Sequence, residues 1–454
     1  MPSVYPFRAL TFDVGQDLSA LVAPPYDVLD HAGKARLLAK DPRNIVAIDL
    51  PHTPAKELGP PAADAAAATA LADHQSKGVL KRLPSPAMFA YRQTFKSADG
   101  TRTVRRSGMA CCVETLPFGP RSGGGILPHE ETFSGPKEDR MALMKATATQ
   151  LSPIFGLHAD AQGTATALLS ALMAARAPDR TATTDDGTLH EVWTTTDAPT
   201  IAQYQSALAG EDVFIADGHH RYTTGLNYLN ALEAAGPLPA DHPARRCMIV
   251  LIGMSDPGLV IWPTHRVLGG MKGYTFDAFA KAAAGTLAVE PLSVPLRAVE
   301  AAMEARAAQS VGGKGPPTNV LGLYDFATGR CALATPARHD PLAAQFPQKP
   351  AAWRALDVAV IQYALVEDIC RPKLNSGEPV RWAFPHTIAE VEAIGKGAET
   401  GSGGGKDFAQ LAVIVRPTPL AAVRDVSRAG ELMPQKSTFF YPKLATGLFL
   451  NPLA

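Results

Sequence analysis

The 454-residue sequence has little cysteine, no excess of charge of either sign and no long apolar run. Its five cysteines, Cys111, Cys112, Cys247, Cys331 and Cys370, are too few for a disulfide scaffold. None stands in a C-x-x-C or zinc-ligand spacing. Cys111 and Cys112 adjoin within an apolar stretch and read as strand core. Lys plus Arg number 43 and Asp plus Glu number 43, so the formal charge is zero. The whole-chain field therefore favours neither a nucleic-acid groove nor a polybasic membrane anchor. The opening MPSVYPFRAL lacks an apolar h-region, and no apolar run reaches membrane-spanning length. A reducing cytoplasm is the expected location.

What the chain does have is length for a sizeable core and 46% hydrophobic residues, which fits two or three globular domains. Gly 38 and Pro 39 call for many turns. NIVAIDL (44–50) reads as a strand, and 59–76 as a Pro/Gly turn feeding an alanine-rich helix. Residues 88–116 read as a hairpin around Asp99-Gly100. A helix is expected over 137–150, and RCMIVLIGM (246–254) reads as a buried strand. From about 273 helical periods dominate, and TGSGGGK (400–406) reads as a flexible break. These patterns give a mixed α+β chain with domains 1–270 and 271–454, the last thirty residues able to fold back onto the first.

The sharpest local pattern is FIADGHHRYTT (214–224). An apolar strand ends at Asp217, Gly218 turns the chain, and helical spacing follows through Leu226, Leu229 and Leu232. His219, His220 and Arg221 thus fall at a helix N-terminus, where unpaired amides and the helix dipole favour an anion. Arg221 offers a bidentate fork for phosphate. Asp217 suits a divalent metal or a hydroxyl that loses its proton. Tyr222 either flanks a base or packs inward. The plainer alternative is that the histidines only cap or pack the junction. Zinc is the weaker fit, because adjacent histidines seldom face one metal.

Three other clusters carry chemistry. His129 and Glu130 follow a glycine loop and precede Lys137; on the residues alone the plainer reading is a solvated, charged first turn of the 137–150 helix, and the functional one makes Glu130 the base for an acceptor hydroxyl and Lys137 a phosphate partner. His265 and Arg266 follow an apolar strand, where they join the same pocket or satisfy a local carboxylate. Lys436, Ser437 and Thr438 form a polar C-terminal group suited to phosphate, with a purely structural role as the alternative. Tyr26 and Asp27 lie on the rigid Pro24-Pro25 loop, where they line a cleft or cap a turn.

DGHHRYTT, together with APPYDV (23–28), HEET (129–132), SGPKEDR (134–140), SDPGLVIWPTHR (255–266) and MPQKSTFFYPKLATGL (433–448), resembles the signatures of an uncharacterised conserved family, domain of unknown function 1015. The Gly-His-His-Arg core also resembles the phosphate-binding motif of the ParB/sulfiredoxin-like fold, whose variants include free-serine kinases. The resemblance implies a ParB/sulfiredoxin-like element in which Gly218, His219, His220 and Arg221 hold nucleotide phosphates. Mg²⁺ with ADP or ATP is the implied cofactor, Asp217 helping to hold the metal. His219 stands where sulfiredoxin needs cysteine, which argues against reductase chemistry. Neutral charge and the lack of a helix-turn-helix signal argue against a DNA-partition role. The expected function is phosphoryl transfer between a nucleotide and a small hydroxyl-bearing metabolite such as serine, with Glu130, Asp217 and His220 as catalytic residues. A phosphate-ester hydrolase and a non-catalytic nucleotide-binding regulator are the alternatives. The oligomeric state, a homodimer included, stays open.

Overall fold

The computed structural model describes residues 2–55, 57–131, 134–309, 319–400 and 403–454. Thr132 of the HEET string lies outside them. The architecture is mixed α/β, and the chain divides into two compact units. One is Met1–Val260 with Phe440–Ala454, the other Ile261–Phe439. The division thus falls after Val260, against the expectation of about 270. Among the described residues no helix is long and apolar enough to cross a membrane.

The first unit is built on a mixed nine-stranded sheet. Its strands run in the order Ile126–Leu127, Val213–Asp217, Ile154–His158, Arg246–Gly253, Thr103–Glu114, Met88–Lys96, Leu189–Thr195 and Arg180–Thr183. Val4–Tyr5 pairs beside Thr103–Glu114. Arg246–Gly253 is buried at every position after the first, as a strand covered on both faces requires. The expected hairpin joins Met88–Lys96 to Thr103–Glu114, with Gly100 in the left-handed region at φ 71°. Cys111, Cys112 and Cys247 are buried as free thiols in these strands.

The expected strand at 44–50 is a helix, Val46–Asp49. Asn44 decides the matter: its Oδ1 accepts from Val46 N at 2.9 Å, and its Nδ2 donates to the carbonyls of Ala20 and Val22. A side chain that bonds nearby backbone in this way competes with a ladder, and a short apolar run cannot distinguish the two outcomes.

The C-terminal residues complete this unit. Thr446 bridges Ala23, Leu450 bridges Leu10, and Asn451–Pro452 pairs with Thr149–Gln150. The Phe449 ring lies 5.5 Å from that of Phe89.

The second unit carries a six-stranded antiparallel sheet. The order is Leu287–Leu292, Cys331–Pro336, Leu321–Asp325, Leu411–Ile414, Arg266–Gly269 and Arg381–Ala383. The helix Phe276–Ala283 buries Phe276, Phe279 and Ala283, a helical-face spacing, against the core shared with the Val360–Leu374 helix. In place of a simple break at 400–406, Glu399–Thr400 pairs with Gly403–Gly404; residues 401–402 lie outside the described set.

Candidate functional site

The strand Val213–Asp217 enters the site through a register shift. Ile215 faces Gly156, but Asp217 faces Phe155. Such a bulge re-aims the side chain that follows it. Gly218 then turns at φ 89° and supplies no side-chain cap to the helix His219–Ala235. A Cβ at this position would stand 3.0 Å from Cζ and Nε of Arg221. Glycine is therefore required both for the backbone angle and for room.

That room lets Arg221 fold back beneath the turn. Its Nη2 donates to Asp217 Oδ2 at 2.5 Å, and its Nη1 donates to the Pro153 carbonyl. The other oxygen, Asp217 Oδ1, accepts from Lys443 Nζ at 2.7 Å. The Asp217, Arg221 and Lys443 side chains are 19%, 10% and 16% exposed, so the triad is shielded but reachable. Burial alone would raise the Asp217 pKa. Lys443 and then Arg221 outweigh it and hold the carboxyl well below its usual range.

His219 is buried behind the turn, and its Nε2 accepts from the His129 amide at 3.4 Å. The two rings meet edge to face at 4.8 Å. His129 Nδ1 donates to the Ile215 carbonyl at 2.9 Å. Burial, with His129 as the next cause, keeps His219 well below the usual histidine range; burial also lowers His129. Both are thus neutral rings that fix the strand to the loop before it. His220, one residue on, is half-buried in the first helical turn. Glu130 is half-buried and acts electrostatically on His129. Lys137 is half-buried near the start of the helix Ser134–Thr147. Tyr222 packs inward: its hydroxyl donates to Leu116 O at 2.7 Å, and its ring lies 5.0 Å from Phe118.

Beside the triad lies a cleft with roughly 460 Å³ of empty space, part of it open to solvent. Tyr26, Asp49, Arg140, Ser152, Arg221 and Thr224 are among its polar lining residues. The Arg140 guanidinium lies 4.0 Å over the Tyr26 ring. It also donates to the Asp49 carbonyl at 2.6 Å and to Asp139 Oδ2 at 2.8 Å. Burial raises Asp49 even against the charge of Arg140. Asp27 is near enough to influence both Tyr26 and Arg221, and its Oδ1 is buried without a hydrogen-bond partner among the described residues. Its neighbour Tyr26 is held protonated by burial.

The structure therefore brings together Tyr26, Asp27, Asp217, Gly218 and Arg221, with His129 and His219 behind them. Sequence reading missed Lys443, Arg140 and Asp49. Lys443 and Arg140 do lie in the quoted strings YPKLATGL and SGPKEDR; Asp49 was hidden by its apolar run. Among the described residues no group of three or more His, Cys, Asp or Glu forms a metal site. Asp217 already accepts from two cations, so the residues present do not fit a resident Mg²⁺ ion.

The remaining candidates belong to the second unit. His265 is buried, and its Nδ1 accepts from Val415 N at 3.2 Å. Arg266 donates to the carbonyls of Thr264, Gln435 and Lys436, the last at 3.0 Å. Its guanidinium lies 5.3 Å over the Phe384 ring. Ser437 Oγ donates to the Pro434 carbonyl, and Ser437 O accepts from Thr418 Oγ1 at 2.6 Å. Lys436 takes a left-handed φ of 58° within this tight turn, and Thr438 follows it.

The model of the family described as "Protein of unknown function (DUF1015)" matches residues 4–359. The chain belongs to this family. No curated protein matches the sequence. Among solved structures, a free serine kinase mutant in complex with ADP is 13% identical, covering 73% of this chain and 95% of its own, with a TM-score of 0.32. A conserved hypothetical protein from Pyrococcus furiosus is 14% identical, covering 72% and 96%, with a TM-score of 0.30. SbnI from Staphylococcus aureus, truncated at its C-terminus, is 11% identical, covering 71% and 82%, with a TM-score of 0.30. Likeness at that distance carries no argument about this DUF1015 chain.

Proposed function

We propose that this protein transfers a phosphoryl group between a nucleotide, ADP or ATP, and a small hydroxyl-bearing metabolite, free serine among the candidates. One observation carries the reading: a helix N-terminus without a side-chain cap, entered through left-handed Gly218, stands beside two shielded cations whose shared carboxylate is ionised. A phosphate arriving there meets helix amides, His220 and a cation already desolvated, and so needs little reorganisation. The resemblance of Gly218–Arg221 to a ParB/sulfiredoxin-like phosphate motif supports the same assignment. Asp217, with its lowered pKa, is a poor base and serves to hold Arg221 and Lys443. Glu130 is assigned as the base for the acceptor. In the step, the acceptor oxygen bonds to the terminal phosphorus and the bridging P–O bond to the nucleotide breaks. The hydroxyl proton passes to Glu130.

The test is phosphorus NMR of ADP or ATP with Mg²⁺ and a panel of hydroxyl metabolites that includes serine. The wild type is expected to form a phosphate monoester, with turnover falling about 10²–10⁴-fold in Glu130→Gln. Inorganic phosphate as the sole product would make the protein a hydrolase. Nucleotide binding without consumption would make it a regulator.

A further inference from the structure

The face of the Met88–Lys96 strand that carries Phe89, Tyr91, Gln93 and Phe95 is directed at the returning C-terminal segment. Gln93 and Arg106 stand opposite each other in the antiparallel hairpin. Arg106 is 1% exposed, and its Nη1 donates to Tyr441 O at 2.9 Å while Nη2 donates to Pro442 O and to Gln93 Oε1. Gln93 Nε2 donates to Lys443 O at 2.9 Å. The Phe95 ring lies 5.7 Å from Tyr441, and Tyr91 reaches Ala445 N at 3.5 Å. Three consecutive carbonyls, 441 to 443, are thus held by one cross-strand pair. The next polar atom along, Lys443 Nζ, is delivered to Asp217, 226 residues away in sequence.

Burying a whole guanidinium against backbone carbonyls is a costly way to fasten a chain end that apolar contacts already anchor at Phe449 and Leu450. The expense is explained if the position of Lys443 matters. We propose that Lys443 is a ligand-binding cation of the Asp217–Arg221 site, moving from Asp217 to the phosphate of an incoming nucleotide while Arg221 retains the carboxylate. Arg106 and Gln93 are its positioning residues. This assignment rests on the nucleotide reading above and adds to it a residue that lies beyond the segment matched by the family model.

The experiment is calorimetric titration of the full chain with ADP and with ATP, Mg²⁺ present. Lys443→Met is expected to weaken binding at least ~10-fold, the loss typical of a charge-assisted hydrogen bond. Aminoethylation of the Lys443→Cys variant, which restores an amine at similar reach, is expected to recover most of it; the five native cysteines are buried. Arg106→Lys is expected to weaken binding too, with no further loss when combined with Lys443→Met. Should Arg106→Lys fail to fold, Gln93→Met, which removes the bond to the Lys443 carbonyl, takes its place in the cycle. Wild-type affinity in Lys443→Met overturns the proposal and leaves the nucleotide reading standing. Full additivity of the two losses overturns the positioning role. A wild type that binds neither ADP nor ATP overturns both.

Discussion

Two shielded arginines, each preceded by histidine in the sequence, end in opposite environments. Arg221 meets a carboxylate that it shares with Lys443, next to a cleft. Arg266 meets the carbonyls of Thr264, Gln435 and Lys436. The pKa values follow the partners. Burial would lower Arg221, but Asp217, together with Asp27, Tyr26 and Asp49, offsets it and the guanidinium is held up; burial alone pushes Arg266 down to about 9. An ion can exchange one partner for another ion, whereas carbonyls of a folded turn stay where they are. Identical residue types therefore make a responsive site in one unit and a fixed clamp in the other.

The widest separation between the regions is expected from Asp217→Ala. Removing the shared carboxylate takes the counter-charge from two shielded cations and is expected to cost about 3–5 kcal/mol by urea unfolding. Arg266→Met, which takes away the clamp's charge together with its donors, is expected to cost about 1–3 kcal/mol. Equal losses would erase the distinction. Nucleotide affinity sharpens it further: it should vanish in the first variant and persist in the second.

Gly218→Ala tests the turn on which the first site depends. The left-handed angle costs about 1–2 kcal/mol for a residue with a Cβ, and the added methyl crowds Arg221. Thermal unfolding should show that loss together with weaker nucleotide binding. An unchanged midpoint would contradict the account of Arg221 folding back beneath Gly218.

The smallest effects separate the regions by pH. His265, buried and neutral, has its pKa pushed down to about 3. The unfolded chain takes up its proton near the ordinary value of about 6.5. The folded state keeps its advantage above that pH and loses it as pH falls from 6.5 towards 3. Asp217 is also depressed, but its advantage is complete above about 3.9 and is lost only below that. His265→Gln should therefore flatten the stability curve between pH 6.5 and 4, by up to about 1.4 kcal/mol per pH unit. Asp217→Asn should leave the slope in that window intact and alter it only below about pH 4. Parallel curves for the two variants would contradict these assignments.

Much of the first site could be read from the sequence because it is local. An apolar run, Asp217-Gly218 and a helical period occupy adjacent positions, and each element forms for short-range reasons. The hairpin of residues 88–114 and the strand Arg246–Gly253 were legible on the same ground. What escaped depends on distant pairing. Lys443 reaches Asp217 only because Gln93 and Arg106 face one another across a hairpin and hold the C-terminal carbonyls. No spacing within YPKLATGL encodes that meeting. Asn44–Leu50 misled because the Asn44 side chain's bonds to nearby backbone, not the apolar pattern, decided between helix and strand. Arg266 looked like Arg221 because sequence shows the cation and conceals its partner.

The most direct measurement is thermal unfolding of the wild type and His220→Ala with ADP, ATP or phosphoserine, each with and without Mg²⁺. A nucleotide held at the junction and supplied at 100 times its dissociation constant adds about 2.7 kcal/mol of stability. A clear upward shift is expected in the wild type and a much smaller one in His220→Ala. No shift with any of these ligands would contradict a nucleotide site at Asp217–Arg221 and leave the histidine pair as packing for the strand–helix junction.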